Sequence, residues 1–333
     1  MRHATDAPIR LLVVTNMYPS ASRPAYGNFV RQQVDSLPPA GVAPTVMFID
    51  GRTSPTEYLR AIPRVRNAAR GEFDLIHAHY GLSGFVALQQ SRLPVVTTFH
   101  GDDLLGTPDA RGRITPKSRV ALALSRWAAV RARSAIVVSP MLLESLPEAA
   151  RPRARILPMG VDLAAFSPMP RDEACRALGL DPGRRRVLFA ADPAVPVKRF
   201  PLAEAAVARL RGEEPSVELR VACNLPPERM PLEMNACDAL VMTSFHEGSP
   251  MVVKEALACN LPIVSVDVGD VGERIRGVSA CRLVAPDAGA IASALREVVR
   301  AGVRADGRRA VEALSTRRIA EELVKIYRGV RPS

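Results

Sequence analysis

Aromatic residues make up 5% of this 333-residue chain, with one tryptophan, and only four of its 45 cationic residues are lysines (Lys117, Lys198, Lys254 and Lys325). The five cysteines (Cys175, Cys223, Cys237, Cys259, Cys281) are scattered and contain no C-x2-C pair, so neither a disulfide framework nor a zinc site is expected. No apolar run approaches the roughly 20 residues that span a bilayer, and no signal-peptide pattern opens the sequence. A cytosolic protein is expected. The first strand-like run is not followed by G-x-G-x-x-G, which argues against hydride transfer even though Asp50 ends the second run where a ribose-binding acid would sit. Helix-turn-helix signals, zinc patterns and basic stripes with interleaved aromatics are also missing, so no nucleic-acid partner is expected. There is no internal repeat and no low-complexity tract.

What is present begins with charge. The net charge of +11 is uneven: residues 1–168 carry 20 Lys+Arg against 12 Asp+Glu, a net +8, and the rest carries 25 against 22. Residues 110–143 hold Arg111, Arg113, Lys117, Arg119, Arg126, Arg131 and Arg133 and no acid, interleaved with Val120, Leu122, Leu124, Trp127 and Val130. This pattern predicts a helix with an apolar side and basic flanks. It suits an anionic membrane surface and equally an ordinary solvated helix. Arg60, Arg64, Arg66 and Arg70 add to the same half and tilt the reading toward the membrane.

Short apolar runs alternate with helical stretches: 9–15, 44–49, 73–78, 94–99 and 134–139, then 186–191, 217–222, 238–243 and 262–267. This alternation predicts parallel sheets covered by helices on both faces. Two units are expected, residues 1–160 and 161–315, with the break near Leu157-Pro158-Met159-Gly160-Val161-Asp162.

The most informative segment is Ser244-Phe-His-Glu-Gly-Ser-Pro-Met-Val-Val-Lys-Glu-Ala-Leu-Ala-Cys-Asn260. Residues 238–243 read as a buried strand, Glu247-Gly248-Ser249 as a turn and Pro250 as the first helical residue. A strand therefore delivers a helix N-terminus, with its unpaired amides, beside an acid. Such an end attracts phosphate. Met251, Val252, Glu255, Ala256 and Cys259 share one helical face, so Glu255 interrupts an apolar stripe. It needs a partner, either an internal arginine or a ligand. Set along one turn and its helix, Glu247 and Glu255 suit two parts of one long ligand better than opposite sides of a single bond.

The segment resembles the E-x7-E signature of retaining, nucleotide-sugar-dependent glycosyltransferases of family 4, with Glu-Gly-Ser-Pro, Glu-Ala-x-Ala-Cys, Leu-Pro-Ile-Val and Asp-Val-Gly-Asp in order from Glu247 to Asp270. The resemblance implies a GT-B architecture: α/β, two Rossmann-like doubly wound parallel-sheet domains facing across a cleft, with a last helix (316–333) crossing back onto the first. It implies that Glu247 contacts donor-sugar hydroxyls and Glu255 the ribose, with Gly248, Ser249, Pro250, Met251 and Val252 beside the diphosphate. Gly27, before Asn28-Phe29-Val30-Arg31, matches a glycine-bearing loop near the donor phosphate, and an ordinary turn glycine would look the same. His100, in His100-Gly101-Asp102-Asp103 at a strand end, matches the histidine that reaches the donor sugar, with Asp102 or Asp103 a candidate helix cap. His77 and His79, with Tyr80, Gly81 and Leu82, lie at another strand end and read as acceptor-side or simply structural.

Lys198 matches the family lysine on the diphosphate, but Pro193 stands where the companion arginine belongs, leaving Arg199 or a distant arginine to substitute. Lys254, the neighbour of Glu255, is read as pointing away from it, without a catalytic role. The Ala-Asp-Pro and Pro-Val-Lys segments, Asn235-Ala-Cys-Asp238 and Lys254-Glu255-Ala256 are similar to a subgroup tied to envelope polysaccharides such as teichuronic acid. The resemblance thus implies a nucleotide-sugar donor, a glycan or lipid-linked acceptor, no metal or other cofactor, and a place on the inner face of the cytoplasmic membrane. Two other readings stay open: a catalytically weak nucleotide-sugar or glycan-binding homologue, motivated by Pro193, and a GT-B nucleotide-sugar epimerase.

Overall fold

The computed structural model describes residues 7–109 and 111–331. Its first unit is a six-stranded sheet of β1 (Ile9–Thr15), β2 (Val42–Phe48), β3 (Leu75–His79), β4 (Val95–Phe99), β5 (Ser134–Val137) and β6 (Ala154–Ile156). The second has five strands: β7 (Arg185–Phe189), β8 (Val217–Val221), β9 (Ala239–Met242), β10 (Ile263–Ser265) and β11 (Arg282–Leu283). All pairings are parallel, in the orders β2-β1-β3-β4-β5-β6 and β11-β10-β9-β7-β8. Every residue of β3, β4, β5 and β9 is buried, as befits strands covered on both faces. The continuous apolar runs arise from that double cover.

Strand edges lie within a few residues of the sequence expectation, and two strands were not anticipated. Both are short outer strands, β6 with three residues and β11 with two, and both keep exposed residues. Too little apolar surface is buried there to leave a pattern. Each sheet reverses its winding between its first and third strands, β1/β3 and β7/β9, the places where an open α/β sheet opens a crevice for ligand. Thr15, His79 and Thr98 lie level across β1, β3 and β4, so Asn16, Tyr80 and His100 emerge together at the same edge.

The chain crosses between the sheets twice, and the crossings touch. Val161 N–H donates to Leu314 O at 2.9 Å, and Thr316 N–H donates to Val161 O at 3.1 Å. A helix over Thr316–Val330 then packs on the first unit through Ile319, Leu323, Val324 and Tyr327. The Tyr327 hydroxyl hydrogen-bonds His77 Nδ1 at 2.7 Å, while His77 Nε2 meets Thr98 Oγ1 at 2.7 Å. His77 is therefore spent inside the fold.

The helix Pro116–Arg131 inverts its expected packing. Its buried residues are small, Ser118, Ser125, Ala128 and Ala129, because helix Gly81–Ala87 comes so close that any side chain at Gly81 would strike Ser125. Leu122 and Leu124 are half-buried. Val120 (63% exposed) and Trp127 instead face outward, flanked by exposed Lys117, Arg119, Arg126 and Arg131.

Candidate active site

The two crevices face each other where the backbones nearly meet. A side chain at Gly248 would collide with the carbonyl of His100, and one at Gly101 would sit 3.1 Å from Gly248 N. Glycine at both positions lets the loop after β4 close on the turn after β9. Two cavities flank this contact. One, of about 460 Å³, is lined by Gly27, His100, Asp192, Lys198, Glu247 and Glu255, and by Gly248 to Val252. The other, of about 620 Å³, includes Asn16, Arg52, Asp102, Lys117 and His246 in its walls and shares Tyr80, His100, Lys198 and Glu247 with the first.

The turn and helix of the second unit build most of the first cavity. Pro250 is the N-cap, so the helix, Met251–Ala258, starts one residue later than expected. The amides of Gly248, Ser249, Met251 and Val252 find no acceptor among the described residues, so free N–H groups meet the cavity wall. Lys198 Nζ donates to Glu247 Oε1 at 2.6 Å, and Ser244 Oγ donates to the same oxygen at 2.7 Å. Both bonds hold the Glu247 carboxylate in one orientation. Glu255 is half-buried with no ion-pair or hydrogen-bond partner among the described residues, and burial pushes its carboxyl up to about 7 against the opposing charge of Lys254. No internal arginine meets it.

From the first unit, Gly27 has φ +71°, and a side chain there would run into the Met17 backbone. The position is closed to other residues, and the helix Asn28–Ser36 starts from it. His100 lies against Tyr80 (ring centroids 4.6 Å apart) and Phe29 (5.2 Å), with His100 Nε2 at 3.1 Å from His79 Nδ1. Burial, reinforced by the adjoining His79 and the Lys254 ammonium, holds His100 well below the usual histidine range, and burial pulls His79 down to about 3, so both rings are neutral. His79 Nε2 is buried without a partner. An orphaned N–H costs more than an orphaned lone pair, which puts the His79 proton on Nδ1, donating to His100 Nε2. His100 then carries its proton on Nδ1, free to donate into the cleft.

Asp103 organises this edge. Its carboxylate accepts N–H bonds from His100 (3.0 Å), Gly101 (2.9 Å) and Gly81 (3.2 Å), so it clasps two strand-end loops instead of capping the helix Asp102–Leu105. Burial raises it to about 6 in spite of these bonds. Asp102 faces His246 of the second unit at 3.7 Å.

The remaining residues sort clearly. Arg199 lines neither cavity: its guanidinium lies 4.6 Å from the centroid of the exposed Phe245 ring, away from the free amides. Tyr80, read with His79 at its strand end, has a φ of +72°, unusual for a tyrosine, which carries its ring onto His100, and with Leu82 it lines the second cavity. Sequence reasoning missed Asp192 and Tyr26 as wall residues of the first cavity. Lys254, read as pointing away from Glu255, bonds Met159 and Ser249 instead and is fully buried behind the turn. Among the described residues no three His, Cys, Asp or Glu side chains converge as a metal-binding group.

Known proteins share this arrangement. The Glycosyltransferase Family 4 profile matches residues 1–165 and the Glycosyl transferases group 1 profile residues 201–301. A D-inositol 3-phosphate glycosyltransferase of Pseudarthrobacter chlorophenolicus is 32% identical over 63% of this chain, which spans 58% of that relative, less than two thirds of its length. The putative teichuronic acid biosynthesis glycosyltransferase TuaC of Bacillus subtilis is 24% identical over 79% of this chain and 82% of its own. Among solved structures, sucrose-phosphate synthase from Thermosynechococcus elongatus superposes with a TM-score of 0.78 at 20% identity, covering 97% of this chain and 99% of that one. Anabaena HepE in complex with UDP-glucose gives 0.62 at 18% identity, covering 96% and 97%. With two facing parallel-sheet units, matched profiles in both and whole-length likeness to such structures, the chain belongs to the family 4, group 1 glycosyltransferases and has the GT-B fold.

Proposed function

We propose that the protein is a retaining glycosyltransferase that moves a sugar from a nucleoside-diphosphate donor to a hydroxyl of a membrane-linked glycan or lipid acceptor in envelope polysaccharide synthesis. One observation carries the reading: Glu255, a half-buried carboxylate with no protein partner among the described residues, borders the cavity that also holds free helix amides and the Lys198–Glu247 pair. A ribose diol is its natural partner, since hydroxyl donors favour the ionised carboxylate that burial disfavours.

The donor then lies with its ribose on Glu255, its diphosphate on the amides of Gly248, Ser249, Met251 and Val252 and on Lys198, and its sugar between Glu247 and His100. As the bond from the sugar to the diphosphate breaks, positive charge grows on the ring and negative charge on the leaving oxygen. Donors already aimed at that oxygen stabilise it without reorganising. The acceptor hydroxyl attacks from the same face, and the departing phosphate oxygen takes its proton. Glu247, held by Lys198 and Ser244, orients the sugar hydroxyls, and the His100 Nδ1–H donates to another. The reading uses no metal. Closure of the two units excludes water from the broken bond.

The membrane part rests on the outward stripe of Val120 and Trp127 among Lys117, Arg119, Arg126 and Arg131. Such a face suits the anionic inner surface of the cytoplasmic membrane. Sedimentation with anionic vesicles should fall in high salt; salt-indifferent sedimentation removes the electrostatic account.

A second acceptor reading comes from the inositol phosphate in the relatives' names. Arg52 and Lys117 on the second cavity's wall suit a small phosphorylated polyol. Nucleotide release from a donor panel, with membrane lipid extract in one arm and inositol phosphate in the other, decides between them. Donor binding with no release under any condition favours a binding homologue lacking activity, and a changed sugar without a new glycoside by NMR favours an epimerase.

A further inference from the structure

Lys254 belongs to the second unit's helix Met251–Ala258, yet it reaches the first crossing between the units. Its Nζ donates to the Met159 carbonyl at 2.9 Å and to Ser249 Oγ at 3.2 Å. Ser249 Oγ in turn donates to Asp270 Oδ2 at 2.8 Å, an oxygen that also accepts Arg274 Nε at 2.8 Å. The line of bonds therefore begins at the crossing, passes behind the turn Gly248–Pro250 and ends on the next loop of the second unit. Met159, Ser249 and Pro250 all line the cavity around Glu255.

Burying a lysine costs several kcal/mol unless its charge is met, and a methionine would fill similar space without that cost. What the ammonium offers is direction: three N–H donors at one point, two of them fixed on groups from opposite sides of the pivot. It also offers charge. The cavity is lined by the carboxylates of Asp192, Glu247 and Glu255 and by one cation, Lys198, which Glu247 already engages. Pro193 leaves the resembled arginine position empty of charge, and Lys254 stands directly behind the free amides of the turn. Its field acts on both His100 and Glu255, one from each unit.

We propose that Lys254 is a positioning residue for transfer: a buried cation that ties the pivot at Met159 to the phosphate-facing turn Gly248–Pro250, so that rotation of one unit against the other and placement of that turn are one movement. This rests on the reading that the cavity takes a nucleoside diphosphate.

Two measurements test it on the full chain. In hydrogen exchange of the free protein, Lys254→Met should speed exchange of residues 157–162 and 246–252 together, about tenfold, while β9 keeps its protection. Ser249→Ala cuts only the second link and should loosen 246–252 alone, which keeps the test open should Lys254→Met fold poorly. Unchanged exchange in both segments, or loosening that spreads equally through β9, overturns the tie. In kinetics with the donor that the wild type turns over, Lys254→Met should lower kcat about 100-fold, the scale of a 1 Å misplacement, with KM and the Kd for the bare nucleotide within about threefold of wild type. An unaltered kcat beside an active wild type removes this proposal alone. A wild type that binds none of UDP, GDP and ADP removes the nucleotide reading and this proposal with it.

Discussion

The two cavities that share His100 and Glu247 differ in what they leave unsatisfied. The one around Glu255 is built from free backbone amides and acids, with a single cation already paired to Glu247. The one beyond Tyr80 brings Arg52, Lys117 and His246 to its wall, and its buried acid Asp103 is consumed by three backbone N–H groups. On the proposed reading the difference teaches that charge alone does not mark a diphosphate site: the more cationic cavity suits an acceptor, and the amide-lined one suits the donor. Backbone N–H groups at a helix start would then do the work that arginines do elsewhere.

The largest test of that contrast is Glu247→Ala, at the seam the cavities share. Turnover should fall by about 100- to 1000-fold, the scale of losing a preorganised polar contact in the transition state, while calorimetry should find binding of the bare nucleotide unchanged. Weakened nucleotide binding would break the division of labour along the ligand. Glu255→Gln comes next and should act on nucleotide affinity itself by about 1.5–3 kcal/mol, the worth of a hydrogen bond to a charged group.

That effect carries a pH signature. With its free carboxyl near 7, Glu255 is largely protonated in mildly acidic solution, and ribose hydroxyls favour the ionised form. Affinity for an intact nucleotide sugar should therefore rise as pH increases toward 7, with proton release on binding, and level off above it. Glu255→Gln should flatten the rise, and a slope that survives the substitution assigns it to another group. Smaller still, Arg52→Ala or Lys117→Ala should raise the acceptor KM several-fold, by about 1 kcal/mol for an exposed charged contact, and leave donor affinity alone; an effect on the donor would merge the two cavities. Arg199→Ala should be nearly silent in donor titrations, because its guanidinium is engaged on Phe245. A tenfold loss of donor affinity there would restore the clamp expected from the sequence.

The parts of the fold and site that were legible are those coded locally. Alternating apolar runs specify buried parallel strands, and Glu247 and Glu255 stay on one turn and helix however the rest of the chain folds. The sequence left unmarked what depends on distant pairs: Lys198 reaching Glu247 across 49 positions, His79 setting the tautomer of His100, and Asp103 clasping Gly81. The partners of Lys254 went unmarked for the same reason, since an inward cation makes sense only once the Met159 carbonyl stands opposite it. The helix Pro116–Arg131 misled through its large residues. Its packing is governed by glycines in a neighbour some 35 positions earlier, a relation that amphipathic spacing does not encode.

The docking of Tyr327 onto His77 joins chain positions 250 apart and carries a consequence for biogenesis. A ribosome releases the first sheet long before it makes the helix Thr316–Val330 that seals that sheet's flank. Until that helix emerges, the nascent first unit keeps a greasy seam open and His77 without its phenolic partner, so its maturation waits upon a stretch made some 250 residues later.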